Sequence, residues 1–99
     1  MTAGERAFVE RAQRFPLELP LRYLKSGVSE WNKGTTKNIS RTGILFSTGE
    51  IPPIDSELEI MVQFPMNATL SCRGSVVRIQ KPNVAVRIDK YDYSRSASN

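Results

Sequence analysis

From Leu17 onward the chain alternates. Leu17, Leu19, Leu21 and Tyr23 fall on one side of an extended backbone, with Glu18, Pro20 and Arg22 on the other. Successive strand side chains point to opposite faces, so this period of two predicts a half-buried strand. The period returns at Leu58, Ile60, Val62 and Phe64, with Glu57, Glu59, Met61 and Gln63 opposite, and at Val84, Val86 and Ile88, with Arg87 and Asp89 outward. Between these lie a polar strand within Trp31–Ser40, a short one at Ile44–Phe46, and one carrying Leu70, Cys72, Gly74 and Val76 on one face. Val77 and Ile79 are out of phase with that face, which predicts a bulge near Gly74. Pro20 donates no ladder hydrogen bond and implies an edge or an N–H that needs no partner. Ser26-Gly27, Thr48–Pro53, Pro65-Met66-Asn67 and Lys81-Pro82-Asn83 read as turns. About six short strands with regular turns make a sandwich or a small barrel, and closure into a barrel would remove exposed sheet edges.

Ninety-nine residues make one domain, with one modest core. We divide the chain into an N-terminal arm, 1–14, a β-barrel, 15–90, and a polar C-terminal tail, 91–99. The arm is read as either a short helix, favoured by Ala3, Ala7 and Ala12, or a flexible segment, since isolated helices of this length are marginal. The N-terminal run is charged throughout and is not read as a secretory signal. No apolar run approaches the roughly 20 residues of a membrane helix, so no membrane insertion is expected.

Composition narrows the chemistry. The chain has no histidine and one cysteine, which removes the commonest general base and the commonest metal ligand. Glu57 and Glu59 on one strand face read as solvated charges. We therefore expect no enzyme activity, no metal and no cofactor. Cys72, among apolar neighbours, reads as a small buried hydrophobe, and a lone thiol fits the cytoplasm. The net charge of +4 favours an anionic partner without naming it. Aromatic residues are 8% of the chain and are not interleaved with basic ones along strands, which speaks against a nucleic-acid stacking surface.

Three segments carry a more specific signal: Arg11-Ala-Gln-Arg14-Phe-Pro-Leu17, Asn38-Ile-Ser40-Arg41-Thr-Gly43, and Gly74-Ser-Val-Val-Arg78 followed by Val84-Ala-Val-Arg-Ile88. In this order and at these separations they resemble the PilZ domain family, over about Arg14 to Ile88. Asn38-x-Ser40-x-x-Gly43 fits that family's [Asp/Asn]-x-Ser-x-x-Gly motif. The resemblance implies an all-β fold, a six-stranded antiparallel barrel, and binding of cyclic di-GMP between the N-terminal arginine arm and the barrel surface. It departs in the arm. The family has Arg-x-x-x-Arg before the first strand; here Arg14 holds the second position, Glu10 stands at the first, and Arg11 lies at a spacing of three.

The residue types suit such a ligand. Arginine bridges phosphates, contacts guanine edges and stacks on purines. Asn38 offers a donor and an acceptor to a base edge. Ser40 can donate to a phosphate or a backbone carbonyl. Gly43 either takes a positive φ or allows a close backbone approach, and Arg41 is placed to add a phosphate contact. The candidate ligand-binding set is thus Arg11, Arg14, Asn38, Ser40, Arg41 and Gly43. The expected function is a cytoplasmic cyclic di-GMP receptor that relays the signal to a protein partner. The alternative is a PilZ-like protein-interaction adaptor, related to pili or motility, in which Glu10 marks a lost ligand site. The family often carries a helix after its last strand. The short polar segment after Ile88 predicts that it is missing or very short, leaving a face for self-association or a partner.

Overall fold

The computed structural model describes residues 17–95; the arm expected at 1–14 lies outside them. Six strands form: β1 (Pro20–Lys25), β2 (Asn32–Ile39), β3 (Gly43–Thr48), β4 (Glu57–Phe64), β5 (Ala68–Gln80) and β6 (Asn83–Arg95). All pairings are antiparallel, and the order β1-β2-β3-β6-β5-β4 closes into a barrel. The alternation read from the sequence is the reason. Leu21 and Tyr23 of β1, Ile44 and Phe46 of β3, Leu58, Ile60 and Val62 of β4, Cys72 and Val76 of β5, and Val84 and Val86 of β6 all turn inward and fill one core. Pro20 is the first residue of β1, where a missing N–H costs least.

One end of the barrel is sealed by side chains. The Tyr23 and Phe46 rings meet with centroids 5.3 Å apart at 48°. The Tyr23 hydroxyl donates to the Glu50 carbonyl and lies 3.3 Å from Thr48 Oγ1, which itself donates to the Lys33 carbonyl at 2.9 Å. Burial pushes the Tyr23 hydroxyl above its ordinary pKa. Pro52 is buried over this end and Ile51 packs on the core.

Three register shifts interrupt the ladders. Thr36 faces Phe46 and Asn38 faces Leu45, so Lys37 is an extra residue in β2. Val76 faces Val86 and Arg78 faces Ala85, so Val77 is extra in β5. Gly74 faces Ile88 and Arg73 faces Lys90, so Asp89 is extra in β6. Each bulge reverses the phase of the strand beyond it. The slip expected near Gly74 thus sits at Val77, which is turned out to solvent while Ile79 returns to the core side. Gly74 serves strand packing instead, since a Cβ there would collide with the Arg87 carbonyl and the Val86 side chain.

The boundary at 91 is corrected by the same reading. β6 continues through Tyr91, Asp92, Tyr93 and Ser94 to Arg95, paired with β5 from Cys72 back to Ala68. The polar appearance of this stretch conceals a strand because Asp89 shifts its phase. Once that residue is set aside, Tyr91 and Tyr93 continue the series Val84, Val86, Ile88.

Candidate functional site

The Asn38–Gly43 segment joins β2 to β3 at the end of the barrel opposite the Tyr23 seal. Ser40 builds the turn. Its amide donates to the Gly43 carbonyl at 2.9 Å, and its hydroxyl accepts from the amides of Thr42 at 3.2 Å and Gly43 at 3.1 Å. The side chain is buried, and its hydroxyl also donates to the Gly43 carbonyl at 3.3 Å, so its polar capacity is directed at backbone. Gly43 does not have a positive φ. A Cβ there would lie 3.0 Å from the Val86 carbonyl, so glycine lets β3 press closely on β6.

Asn38 emerges on the outer face because of the Lys37 bulge. Without the extra residue, the position after inward Thr36 that shares its face would be Asn38. With it, Ile39 takes the inward place. Asn38 then heads an outer row that runs Asn38, Leu45, Ala85, Arg78 across β2, β3, β6 and β5. The next outer pair is Gly43 with Arg87. Small side chains at Gly43 and Ala85 leave a depression of about 170 Å³, with Asn38, Leu45, Arg78 and Arg87 around it. It combines the side chains of Leu45 and Ala85 with two guanidiniums and one amide.

The structure thus brings Asn38 and Gly43 of the expected set to one depression. Ser40 lies beneath as a builder of the turn, and Arg41 is exposed on the turn outside the depression. Arg11 and Arg14 lie outside the described residues. Arg78 and Arg87 are additions to the expected set. The outward phase of Arg87 between Val86 and Ile88 is a usable signal in the sequence, whereas Arg78 reaches the depression only because Val77 is bulged. Arg87 Nε lies 3.6 Å from Asp89 Oδ1, with both side chains largely exposed, a contact weak enough to exchange for another anion. Arg78 makes no ion pair among the described residues.

A depression of this size does not enclose a dinucleotide, since ligand pockets run to several hundred Å³. A cover would have to come from elsewhere. The chain before β1 is anchored on β2: the Thr36 hydroxyl donates to the Leu17 carbonyl and accepts from the Leu19 amide at 2.8 Å. Thr36 and Asn38 flank the same bulge, Thr36 turned into the core and Asn38 to the outer face. A larger concavity, about 870 Å³, lies elsewhere, over Pro20, Arg22, Lys33, Thr35, Met61 and Gln63, and shares no residue with the Asn38–Gly43 turn.

The described residues thus form a small closed antiparallel barrel with a polar turn and basic side chains at one end. Among solved structures, the chain is similar to the PilZ domain of CeSA from a cellulose-synthesizing bacterium, with a TM-score of 0.65 and 15% identity, over 79% of this chain and 81% of that one. At that identity the likeness speaks for the fold. No curated protein matches significantly. The family model of the PilZ domain matches residues 9–95, and the chain belongs to that family.

Proposed function

We propose that this chain is a receptor for cyclic di-GMP, held on the outer face around Asn38 and covered by the segment that carries Arg11 and Arg14. The observation that carries the reading is the convergence of Asn38, Arg78 and Arg87 on one depression. Arg14 is three residues from Leu17, a reach of about 10 Å in extended chain, and its guanidinium would be the group laid over the ligand. Arg78 and Arg87 take phosphate oxygens or guanine O6 and N7 bidentately, Asn38 takes a guanine edge, and Leu45 and Ala85 supply apolar contact for a base. Apolar side chains beside arginine planes favour a ligand with both stacking faces and charge. Ordering of the arm over the barrel changes the surface that a partner protein reads.

Glu10 at the family's first arginine position favours a second reading, an adaptor that does not bind the nucleotide. A carboxylate close to a phosphate opposes binding unless it is paired or directed away. Calorimetric titration with cyclic di-GMP, with GTP as control, separates the two. The receptor reading expects a saturable heat that falls at least tenfold in affinity in Arg87→Ala, Asn38→Ala and Arg14→Ala. Absence of heat at high micromolar ligand assigns the chain to the adaptor class. Binding that survives Arg14→Ala unchanged removes the arm from the mechanism.

A further inference from the structure

β6 is longer than the barrel needs. β3 pairs with it only from Asn83 to Arg87, with one further bond from the Ile88 amide to the Thr42 carbonyl at 2.9 Å. From Asp89 to Arg95, β6 is paired on one side, with β5. Among the described residues no strand pairs with its other edge. A strand edge with unpaired N–H and C=O groups is a template for another strand.

The side chains along that edge restrict what can add to it. Lys90 and Asp92 point outward, in the rows of Arg73 and Ser71. Tyr91 and Tyr93 point the other way, in the rows of Cys72 and Leu70. Tyr91 and Tyr93 are 51% and 58% exposed, although Tyr93 already sets its ring edge-to-face on Phe64 at 5.9 Å. We infer that this edge pairs with the same edge of a second copy of the chain, in an antiparallel dimer whose two-fold axis passes through Tyr91.

The register is set by charge and sterics. A symmetric antiparallel pair has one residue on its axis, and residues equidistant from it face each other on the same side of the sheet. Centring on Tyr91 puts Lys90 opposite Asp92 of the second copy, and by symmetry does so twice. It also sets Tyr91 against Tyr91. Centring on Asp92 would oppose two carboxylates, and centring on Lys90 would oppose two ammoniums, both unfavourable for directly facing pairs. Centring on Tyr93 pairs no opposite charges. Pairing cannot extend past Asp89, because the Ile88 amide is already bonded to Thr42. The strands therefore join about Tyr91, from Lys90 to Asp92, adding β6 and β5 of the second copy to one continuous sheet and covering exposed aromatic surface. An interface this short belongs to the weak, transient class.

Sedimentation of the full chain across micromolar to millimolar concentration tests this. The expected result is a reversible monomer–dimer equilibrium. Lys90→Asp alone and Asp92→Lys alone each weaken association at least tenfold, while the double swap Lys90→Asp with Asp92→Lys restores it to within threefold of the original. Thermal unfolding of each single variant, at the midpoint of the original chain, checks that it is folded. A chain that stays monomeric at millimolar concentration overturns the proposal, whether its β6 amides exchange freely or are protected by another part of the same chain. A dimer that forms equally well in both single variants overturns it too, since the register would then be wrong.

Discussion

The two ends of the barrel are built differently. At the Thr48–Pro53 end the ladders run regularly, Tyr23 and Phe46 plug the interior, and the buried hydroxyls have backbone partners. At the Ser40–Gly43 end, the Lys37 and Asp89 bulges break the ladders, β6 parts from β3, and Asn38, Arg87, Tyr91 and Tyr93 are turned out to solvent or half exposed. The plugged end commits its side chains to the core. The bulged end uses extra residues to re-aim side chains outward, which is what a binding face on a small barrel requires.

If the plugged end supplies the stability, the largest effect should come from emptying it. Phe46 has no exposed surface and touches Tyr23. Phe46→Ala is expected to cost about 3–5 kcal/mol, a large share of what a domain of this size has. Denaturant unfolding followed by Trp31 fluorescence measures it. A loss below about 1 kcal/mol would break the comparison, because the interior would then be loosely packed at both ends.

A smaller effect is expected from alkali. Burial pushes the Cys72 thiol up to about 12 from 9.0, so the folded chain holds that proton while the unfolded chain releases it above about pH 9. The unfolded state then binds fewer protons, and stability falls as pH rises from about 9 towards 12. The contribution by about pH 11 is on the order of 1–3 kcal/mol. Tyr23, also raised by burial, adds a loss of the same sign above about pH 10. Cys72→Ala should flatten the slope of stability against pH between about 9 and 11. Cys72 lies in the row of Ile60 and Tyr91, under the part of β6 that has left β3. A slope that is unchanged in the variant would mean that water reaches the thiol from the bulged end.

The regular end is legible in the sequence and the bulged end only partly so. Leu58, Ile60, Val62 and Phe64 announce β4 because nothing interrupts their period, and the same holds for Val84 and Val86. The strand through Tyr91 and Tyr93 is hidden by one extra residue, Asp89, which makes two aromatic positions look like part of a polar tail. Arg78 escapes the sequence reading of the site for the same reason, since the Val77 bulge decides which way it points. Asn38, Ser40 and Gly43 come together through the family motif. Only the folded chain separates them into a residue that faces the depression, one that fastens the turn, and one that admits a neighbouring strand. A period cannot report a bulge's location when apolar residues stand on both sides of it, as Val76, Val77 and Ile79 do.

The smallest effects distinguish fastening from display within a single turn. Ser40→Ala removes a hydroxyl that accepts from two amides and leaves those donors without it in a half-buried turn, an expected cost of about 1 kcal/mol. Arg41→Ala, one residue on, removes an exposed side chain outside the depression of Asn38 and Arg87, and should leave stability within about 0.5 kcal/mol. Binding is expected to divide in the same way. Ser40→Ala moves the Asn38–Gly43 backbone, and so weakens any ligand held at Asn38 and Arg87. Arg41→Ala leaves affinity within about twofold, because a lone exposed charge beside the site contributes little through water. Thermal unfolding and nucleotide titration of the two variants, run side by side, supply both readings. If Arg41→Ala lowers affinity more than Ser40→Ala does, the ligand lies over the turn rather than in the depression, and the binding face extends from the outer strands onto the end of the barrel.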